Sequence, residues 1–422
     1  MTRLLLLVGL ALPICCTAQT LEECQAAAAN NYPIVRKYAL IEKSATYTLE
    51  NISKGWLPQV TTSAQATWQS DVVTLPAGMT TMLSQMGTDV KGLRKDQYRI
   101  GVDVSQPIYD GGAISSQKTV ARAQAEVERS QNDVDLYALC KRVNDLYFSL
   151  LLIEDRIQMN TDLLTLLRST EKKLESMSRN GTAAESDYHS IRAERIGAEQ
   201  QRIDLDAQHE ACCEMLSILC GMEVTKPVKP NPIPTTTTDN QRPELALIAS
   251  KLRLADAQEK ALDASLRPRV SLFASGFYGY PGYDMYHDMF SHDWSFNAMV
   301  GAKVAWNISA LYTRKSDKAK IGIQRMMAEN SKDLFLFNNS MENAQISKNI
   351  EKYNRLRQTD AEIVALRQKV RMAAESKLDH GIIDVNDLIK EIYNENNAKS
   401  SMSMHEVEWL RQIYDLKYTN NN

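Results

Sequence analysis

Six histidines are spread along the chain, at 189, 209, 287, 292, 380 and 405, and only His287 and His292 stand near each other. With Asp288 and Asp293 beside them they offer imidazole and carboxylate donors, the chemistry of a weak metal site. They also fall in a short loop between two strand-like segments, where solvated polarity is the ordinary role. No HExxH, GxSxG, P-loop or CxxC…CxxC pattern occurs. The groups needed for metal-assisted hydrolysis, acyl transfer or nucleotide binding are therefore not held at working spacings. Carboxylates are plentiful, but they lie along helical patterns as solvated faces. The expectation is a protein with no catalytic residues, no metal and no cofactor.

Thiol chemistry depends on where the chain resides. Met1–Arg3 is positively charged, Leu4–Ile14 is apolar, and Cys16-Thr17-Ala18 precedes Gln19. That order is a cleavable secretory leader over residues 1–18, with an apolar run too short to span a bilayer. Lipidation at Cys15 or Cys16 is the alternative, although Ile14 suits it poorly. The remaining cysteines, Cys24, Cys140, Cys212, Cys213 and Cys220, are odd in number and irregular in spacing. They do not form a disulfide framework. Cys140 and Cys220 fall at similar heights in a helical hairpin, so they read either as a bridge or as small buried residues on helix seams.

Charge and hydropathy remove other classes. The formal net charge is −3 and no basic run stands out, which excludes nucleic acid as a partner. After the leader no apolar window reaches transmembrane-helix length. A membrane could still be met through β-strands, whose signal per segment is weaker.

The elements that would position any site occur twice. Pro33 and Ala39 align with Pro243 and Ala249, and Pro58 and Val60 with Pro268 and Val270. After one change of register, Gly101 meets Gly301, Gly181 meets Gly381 and Asp187 meets Asp387. Ordered self-similarity of this kind marks an internal duplication. Residues 19–220 form one copy and 243–417 the other, with a Pro/Thr-rich linker at 221–242 and a tail at 418–422. Each copy opens with a helix (Leu21–Lys54; Pro243–Ser265). Two strands and a loop follow, the first loop ending in PAGMTTMLSQMGTD. A very long helix (Ala113–Ser178; Leu311–Leu378), a turn at Gly181 or Gly381, and a return helix (Ala184–Cys220; Val385–Leu416) complete it. At 1.5 Å per residue the long helices reach roughly 100 Å. Leu139, Val143, Leu146, Leu150, Ile153, Ile157, Leu164 and Leu167 draw a packing seam, echoed by Ile346, Ile350 and Tyr353 and, after a phase shift, by Ile363, Leu366 and Val370.

The strands sort by parity. Val60, Thr62, Ala64, Ala66 and Trp68 point one way and Thr61, Ser63, Gln65 and Thr67 the other. Tyr98, Ile100, Val102 and Val104 oppose Arg99, Gly101, Asp103 and Ser105. In the second copy Trp294, Phe296, Ala298, Val300, Ala302, Val304 and Trp306 oppose Ser295, Asn297, Met299, Gly301, Lys303 and Ala305. The strand from Val270 is less clean, because Phe273 and Phe277 share its minor face. Aromatic ends at Trp68, Tyr98, Trp294 and Trp306 read as membrane-interface residues, while Arg99, Asp103 and Lys303 suit a wet lumen. Four strands cannot close a cylinder in lipid, so a spanning chain must oligomerise.

QPIYDGG (106–112) joins strand to helix. Pro107 is expected to end the ladder, and Gly111 and Gly112 to turn the backbone. In the second copy Asn307 and Ser309 are expected to cap the helix instead.

The order strand, PIYDGG, long helix, G-x₅-D turn and return helix, duplicated, resembles the TolC-like outer-membrane efflux protein family over nearly the whole mature chain. The resemblance implies an α+β membrane protein: a homotrimer whose four strands per chain build a twelve-stranded β-barrel in outer-membrane lipid, continuous with a helical barrel in the periplasm. It implies a periplasmic adaptor (membrane fusion) protein and an inner-membrane pump as partners, and passage of small molecules or polypeptides through the lumen. It also places Gly181 and Asp187, and Gly381 and Asp387, at a periplasmic tip that gates the tube and docks the adaptor. Lys390 stands where family members often carry a second acid, and Glu185 and Asp384 are the acids that could supply charge instead. Helix N-terminal capping is the other role open to each of these acids. A periplasmic coiled-coil adaptor or structural protein without a barrel is the competing reading of the chain as a whole.

Overall fold

The computed structural model describes residues 19–88, 90, 92–232 and 240–420. The leader expected over 1–18 and the centre of the inter-repeat linker lie outside them. In chain order the elements are α1 (Leu21–Asn31), α2 (Val35–Ser53), a 3₁₀ turn (Lys54–Trp56), β1 (Gln59–Trp68), α3 (Ala77–Gln85), β2 (Asp96–Tyr109), α4 (Ala113–Arg179) and α5 (Glu185–Cys220). The second repeat supplies α6 (Pro243–Ser265), β3 (Arg269–Tyr280), α7 (Met285–Phe290), β4 (Ser295–Ala305), α8 (Ala310–Asp379) and α9 (Val385–Asn420).

The helix expected over Leu21–Lys54 is two helices. Pro33 lacks an amide hydrogen and crowds the preceding turn, and the backbone breaks across Tyr32–Ile34. Thr20 starts α1 with a reciprocal capping box to Glu23. The segment read as loop at 76–89 holds α3, which follows Pro76. Helix α9 runs through Asn420, so residues 418–420 continue a helix rather than begin a tail.

The chain divides into two compact units. One comprises residues 40–129 and 248–331 and contains the sheet, an antiparallel ladder in the order β1-β2-β3-β4. Its helices are stitched by ion pairs: Arg314 of α8 to Asp263 of α6, Lys318 to Glu259, and Arg325 to both Asp256 and Glu259. Exposed pairs of this kind contribute little singly. As a ladder they fix the rotation of α8 against α6.

The other unit comprises residues 19–39, 130–247 and 332–420 and has two apolar clusters. The first joins Leu21, Cys24 and Ala28 of α1 to Leu139, Val143, Tyr147 and Leu150 of α4, Leu216 and Cys220 of α5, and Val407, Leu410 and Tyr414 of α9. The second joins Leu163, Leu167 and Leu174 of α4 to Ile191 and Ala198 of α5, and to Leu378, Val385, Leu388 and Ile392 near the second turn. The α4 seam read from sequence is therefore the buried one. Of the seam read on α8, Ile346 is buried and Ile350 and Tyr353 are half-buried, whereas Ile363, Leu366 and Val370 are exposed. The first and last described residues meet the inter-repeat linker: Gln19 N–H donates to the Lys226 carbonyl, Val228 N–H to the Gln19 carbonyl, and Gln241 N–H to the Asn420 carbonyl.

Candidate functional site

Register carries the parity argument across the whole sheet. Val60 faces Val104, Ala64 faces Ile100 and Ala66 faces Tyr98. Ile100 faces Tyr278 and Val104 faces Ala274, while Ala274 faces Val300 and Tyr278 faces Phe296. One surface is thus almost entirely apolar. It is also bare: Val300 is 80% exposed, Phe296 75% and Trp68 73%. A sheet packed on a soluble core would show the opposite. Trp68, Tyr98 and Trp294 gather at the loop end, where the Trp294 ring stacks on Tyr98 with centroids 6.1 Å apart. Trp306 lies at the helical end, its indole N–H donating to the Leu266 carbonyl. Trp294 and Trp306 flank β4 rather than sit within it.

The other surface pairs Gln65 with Arg99, Thr61 with Asp103 and Lys303 with Ser271. The two phenylalanines that blurred the pattern have a local reason. Phe273 faces Gly301, where a Cβ would sit 2.8 Å from its ring, and Phe277 faces Gly101, where a Cβ would sit 3.2 Å away. The Phe273 ring lies against the bare backbone of Gly301, an aromatic covering a strand glycine, while at Gly101 the close atom is the Phe277 Cβ. The Arg99 guanidinium then covers Phe277 at 3.8 Å.

At the first junction Pro107 does not end the strand. Pairing with β1 stops at Gln59–Ser105, but β2 continues against β3 through Pro107 and a bulge to Tyr109. Proline is tolerated there because β2 has one neighbour instead of two. Gly111 and Gly112 adopt φ of 70° and 84°, and a Cβ on Gly111 would lie 2.8 Å from the Arg267 Cβ. Sequence reasoning passed over Asp110, although it stands inside the quoted motif. Its carboxylate accepts from Gly112 N at 2.8 Å and Ile114 N at 2.6 Å, satisfying donors at the start of α4. An acid just ahead of a predicted helix was the available signal. At the second junction Ser309 donates to Asn307 Oδ1, while Leu311 N and Tyr312 N bond the Ile308 and Ser309 carbonyls. The expected side-chain cap there is replaced by this backbone turn.

The two helical turns are near copies. Gly181 and Gly381 have φ of 72° and 69°, and Thr182 N and Ile382 N reach back to the Met177 and Lys377 carbonyls. This is a glycine-terminated helix end. Neither glycine has any group within 4 Å of an added Cβ. Replacing either with Ala is expected to cost only the left-handed backbone penalty, about 1 kcal/mol, measured as a small shift in thermal melting. Asp187 and Asp387 occupy the third position of α5 and α9. The two turns differ at Asp384, whose carboxylate accepts from Asp387 N at 2.9 Å and caps α9. Its counterpart in the first copy is Ala184, which has no capping side chain. Glu185 approaches His189 at 3.5 Å, and Lys390 follows one turn into α9.

Further along α9, Arg411 bridges to Asp145 of α4 at 2.7 Å. Burial pushes the neighbouring Asp415 carboxyl up to about 6, against the opposing pull of Arg411 and Lys141, with Asp145 and Glu342 adding to the rise. Because its folded value lies above the unfolded 3.8, the folded state keeps a proton that the unfolded chain releases. Stability contributed by that proton is full below 3.8 and is lost as pH rises through about 6. Asp415→Asn is expected to flatten this slope and to stabilise the protein near neutral pH by roughly 2 kcal/mol, read from melting temperatures across the acid range.

The polar loop between β3 and β4 has structural partners. The buried Asp288 carboxylate accepts from Gly282 N at 2.6 Å, and His292 Nε2 lies 2.8 Å from the Gly92 carbonyl. No group of three or more metal-binding side chains occurs among the described residues. Cys140 is half-buried beside Tyr137, Asn144 and Tyr414, and it is not bonded to Cys220. Cys220 lies instead against Cys24, its thiol donating to the Cys24 carbonyl at 3.4 Å. No described helix is long and apolar enough to cross a membrane.

Residues 25–219 match the model of the outer membrane efflux protein family. Over the whole chain the fold is that of solved outer-membrane channels. The outer-membrane channel OprN aligns with TM-score 0.67 at 18% identity, covering 94% of this chain and 89% of that one. VceC of Vibrio cholerae aligns with TM-score 0.67 at 13% identity, covering 95% and 96%. The Campylobacter jejuni CmeC outer membrane channel aligns with TM-score 0.68 at 14% identity, covering 94% and 85%. No curated protein matches in sequence. The resemblance to TolC-like outer-membrane efflux proteins, drawn from the ordered junction, helices and turns, is borne out.

Proposed function

We propose that this chain, folded as an outer membrane efflux protein, is one subunit of an outer-membrane exit duct. It passes small molecules or polypeptides outward by geometry and lumen electrostatics, without catalysis. The observation that carries this reading is a four-stranded sheet with two open edges and one bare apolar surface. Eleven residues of β4 extend about 36 Å, and a tilt near 40° leaves roughly 28 Å, the thickness of an apolar membrane band. Three copies would join β4 to β1 of the next subunit and close twelve strands, putting Arg99, Asp103 and Lys303 on the wet side. The exposed stripe of Ile363, Leu366 and Val370 would then meet helices of a neighbouring copy. The helical part belongs in the periplasm, where a periplasmic adaptor and an inner-membrane pump would engage the turns at Gly181 and Gly381.

Membrane fractionation tests the reading against a periplasmic coiled-coil protein with a soluble sheet. The mature chain is expected in the outer-membrane fraction, extractable only with detergent, as a trimer. A soluble monomer would end the duct proposal. Within the duct, Asp187 and Asp387 bring one acid from each repeat to the turns. Replacing both with Ala is expected to lower cation preference and single-channel current by about two-fold or more in planar bilayers. Unchanged current together with unchanged export would remove the turns from the gate.

A further inference from the structure

The sulfur chemistry left over by the duct reading lies at the base of the first repeat. Cys24 and Cys220 are 0% and 4% exposed, in a cluster with Leu21, Ala28, Leu216 and Val224. The Cys220 thiol donates to the Cys24 carbonyl at 3.4 Å, which sets the two cysteines side by side. The residues come from facing helices, α1 and the last turn of α5, and are separated by 196 positions in sequence. Three other cysteines, Cys140, Cys212 and Cys213, are each only partly buried. Contact with Cys220 and burial both push the Cys24 thiol far up, so in the folded protein it holds its proton and is a poor nucleophile.

We propose that Cys24 and Cys220 form a disulfide on export, closing α1 onto the end of α5. The proposal rests on the outer-membrane reading, since the oxidising side of the inner membrane supplies the acceptor. One cysteine thiolate attacks the disulfide of an exported thiol–disulfide oxidoreductase, displacing one of its sulfurs and giving a mixed disulfide. The second cysteine thiolate attacks the chain's sulfur in that mixed disulfide, forming the Cys24–Cys220 bond and releasing the oxidoreductase as a dithiol. Two protons and two electrons leave the chain, and the acceptor gains them. Because both sulfurs are buried once α1 has docked, the exchange belongs to folding, before that face closes. The bond would tie the segment that follows the leader to the segment that precedes the linker. The same junction is otherwise held by the α1 capping box and the Gln19 and Val228 backbone bonds.

The test uses the full-length chain with Cys140, Cys212 and Cys213 replaced by Ser, so that only the pair remains after leader cleavage. Protein from the outer-membrane fraction is denatured in an excess of iodoacetamide, with and without prior reduction, and weighed by mass spectrometry. The expected result is no alkyl group without reductant and two with it. Two alkyl groups without reductant on leader-cleaved, membrane-located protein would overturn the proposal. If the leader is retained and the chain is not exported, reduced protein is treated with diamide, a small diffusible thiol oxidant. Closure of the pair then leaves the geometry standing and faults the export reading, whereas failure to close overturns the pairing. A variant with Cys24→Ser must carry one alkyl group regardless of reductant; any other stoichiometry overturns the assignment.

Discussion

A chain carrying Val102→Arg and Val300→Arg is expected to disappear from the outer-membrane trimer proposed above. Both side chains lie on the bare apolar surface, in the interior of β2 and β4. A cation on the lipid face of a barrel costs about 2 to 4 kcal/mol near the midplane, and every subunit would carry two. The sum, about 4 to 8 kcal/mol per subunit, is comparable with the whole margin by which many folded proteins are stable. The measurement is the fraction of chain migrating as trimer after extraction in mild detergent, together with its degradation in cells. The partner experiment places Arg at Ser63 and Ser275, on the opposite surface of the same sheet, where neighbours include Asp103. Those variants are expected to assemble normally and to shift conductance and ion preference. If the two pairs behave alike, the sheet has no lipid side.

That contrast was legible in the sequence, because strand parity needs only the alternation of residue types. Val60, Ile100 and Val300 separate from Ser63, Arg99 and Lys303 without knowledge of any contact, and the observed register brings each set to one surface. The extent of the long first helix was also legible: α4 contains no proline and no glycine, so nothing interrupts it between Gly112 and the turn at Gly181. What escaped the sequence depends on distant partners. Pro107 resembles a strand terminator until one sees that β1 has already ended, which only the pairing reveals. Phe273 and Phe277 resemble errors of phase until Gly301 and Gly101 are found across the strand. The hairpin pattern singles out Cys140 as the cysteine level with Cys220; docking of α1 puts Cys24 beside Cys220, which no local pattern reveals.

Gly111→Val is expected to be the most damaging single substitution at the strand-to-helix junction. The residue has φ of 70°, which a β-branched side chain resists. An added Cβ would also lie 2.8 Å from the Arg267 Cβ, 3.3 Å from the Ala264 carbonyl and 3.4 Å from the Pro268 carbonyl. Two of those neighbours are backbone and cannot rotate away. The combined strain and clash are expected to cost roughly 3 kcal/mol or more, lowering assembled protein and melting temperature together. Gly112→Ala supplies the control. Its φ of 84° is equally unusual, but the nearest atom to its Cβ is the Arg267 Nη1 at 3.8 Å, the end of a flexible side chain. Its cost is expected near 1 kcal/mol. A Gly111 variant no worse than the Gly112 variant would show that the close approach of Arg267 is absent from the assembled protein.

The N-terminal strand-like residue Gln19 and the final helical residue Asn420 are each hydrogen-bonded to the same inter-repeat segment, at Lys226–Val228 and at Gln241. Each repeat therefore closes on itself: its first described residues meet the segment that follows or ends its last helix. A gene encoding one repeat could be doubled by joining a tail to a head that folding already brings to a common place. By the same logic, the molecule could be cut in the linker and expressed as two polypeptides, with the apolar cluster that joins α1, α4 and α5 to α9 and the Lys229–Glu406 ion pair left to reunite them.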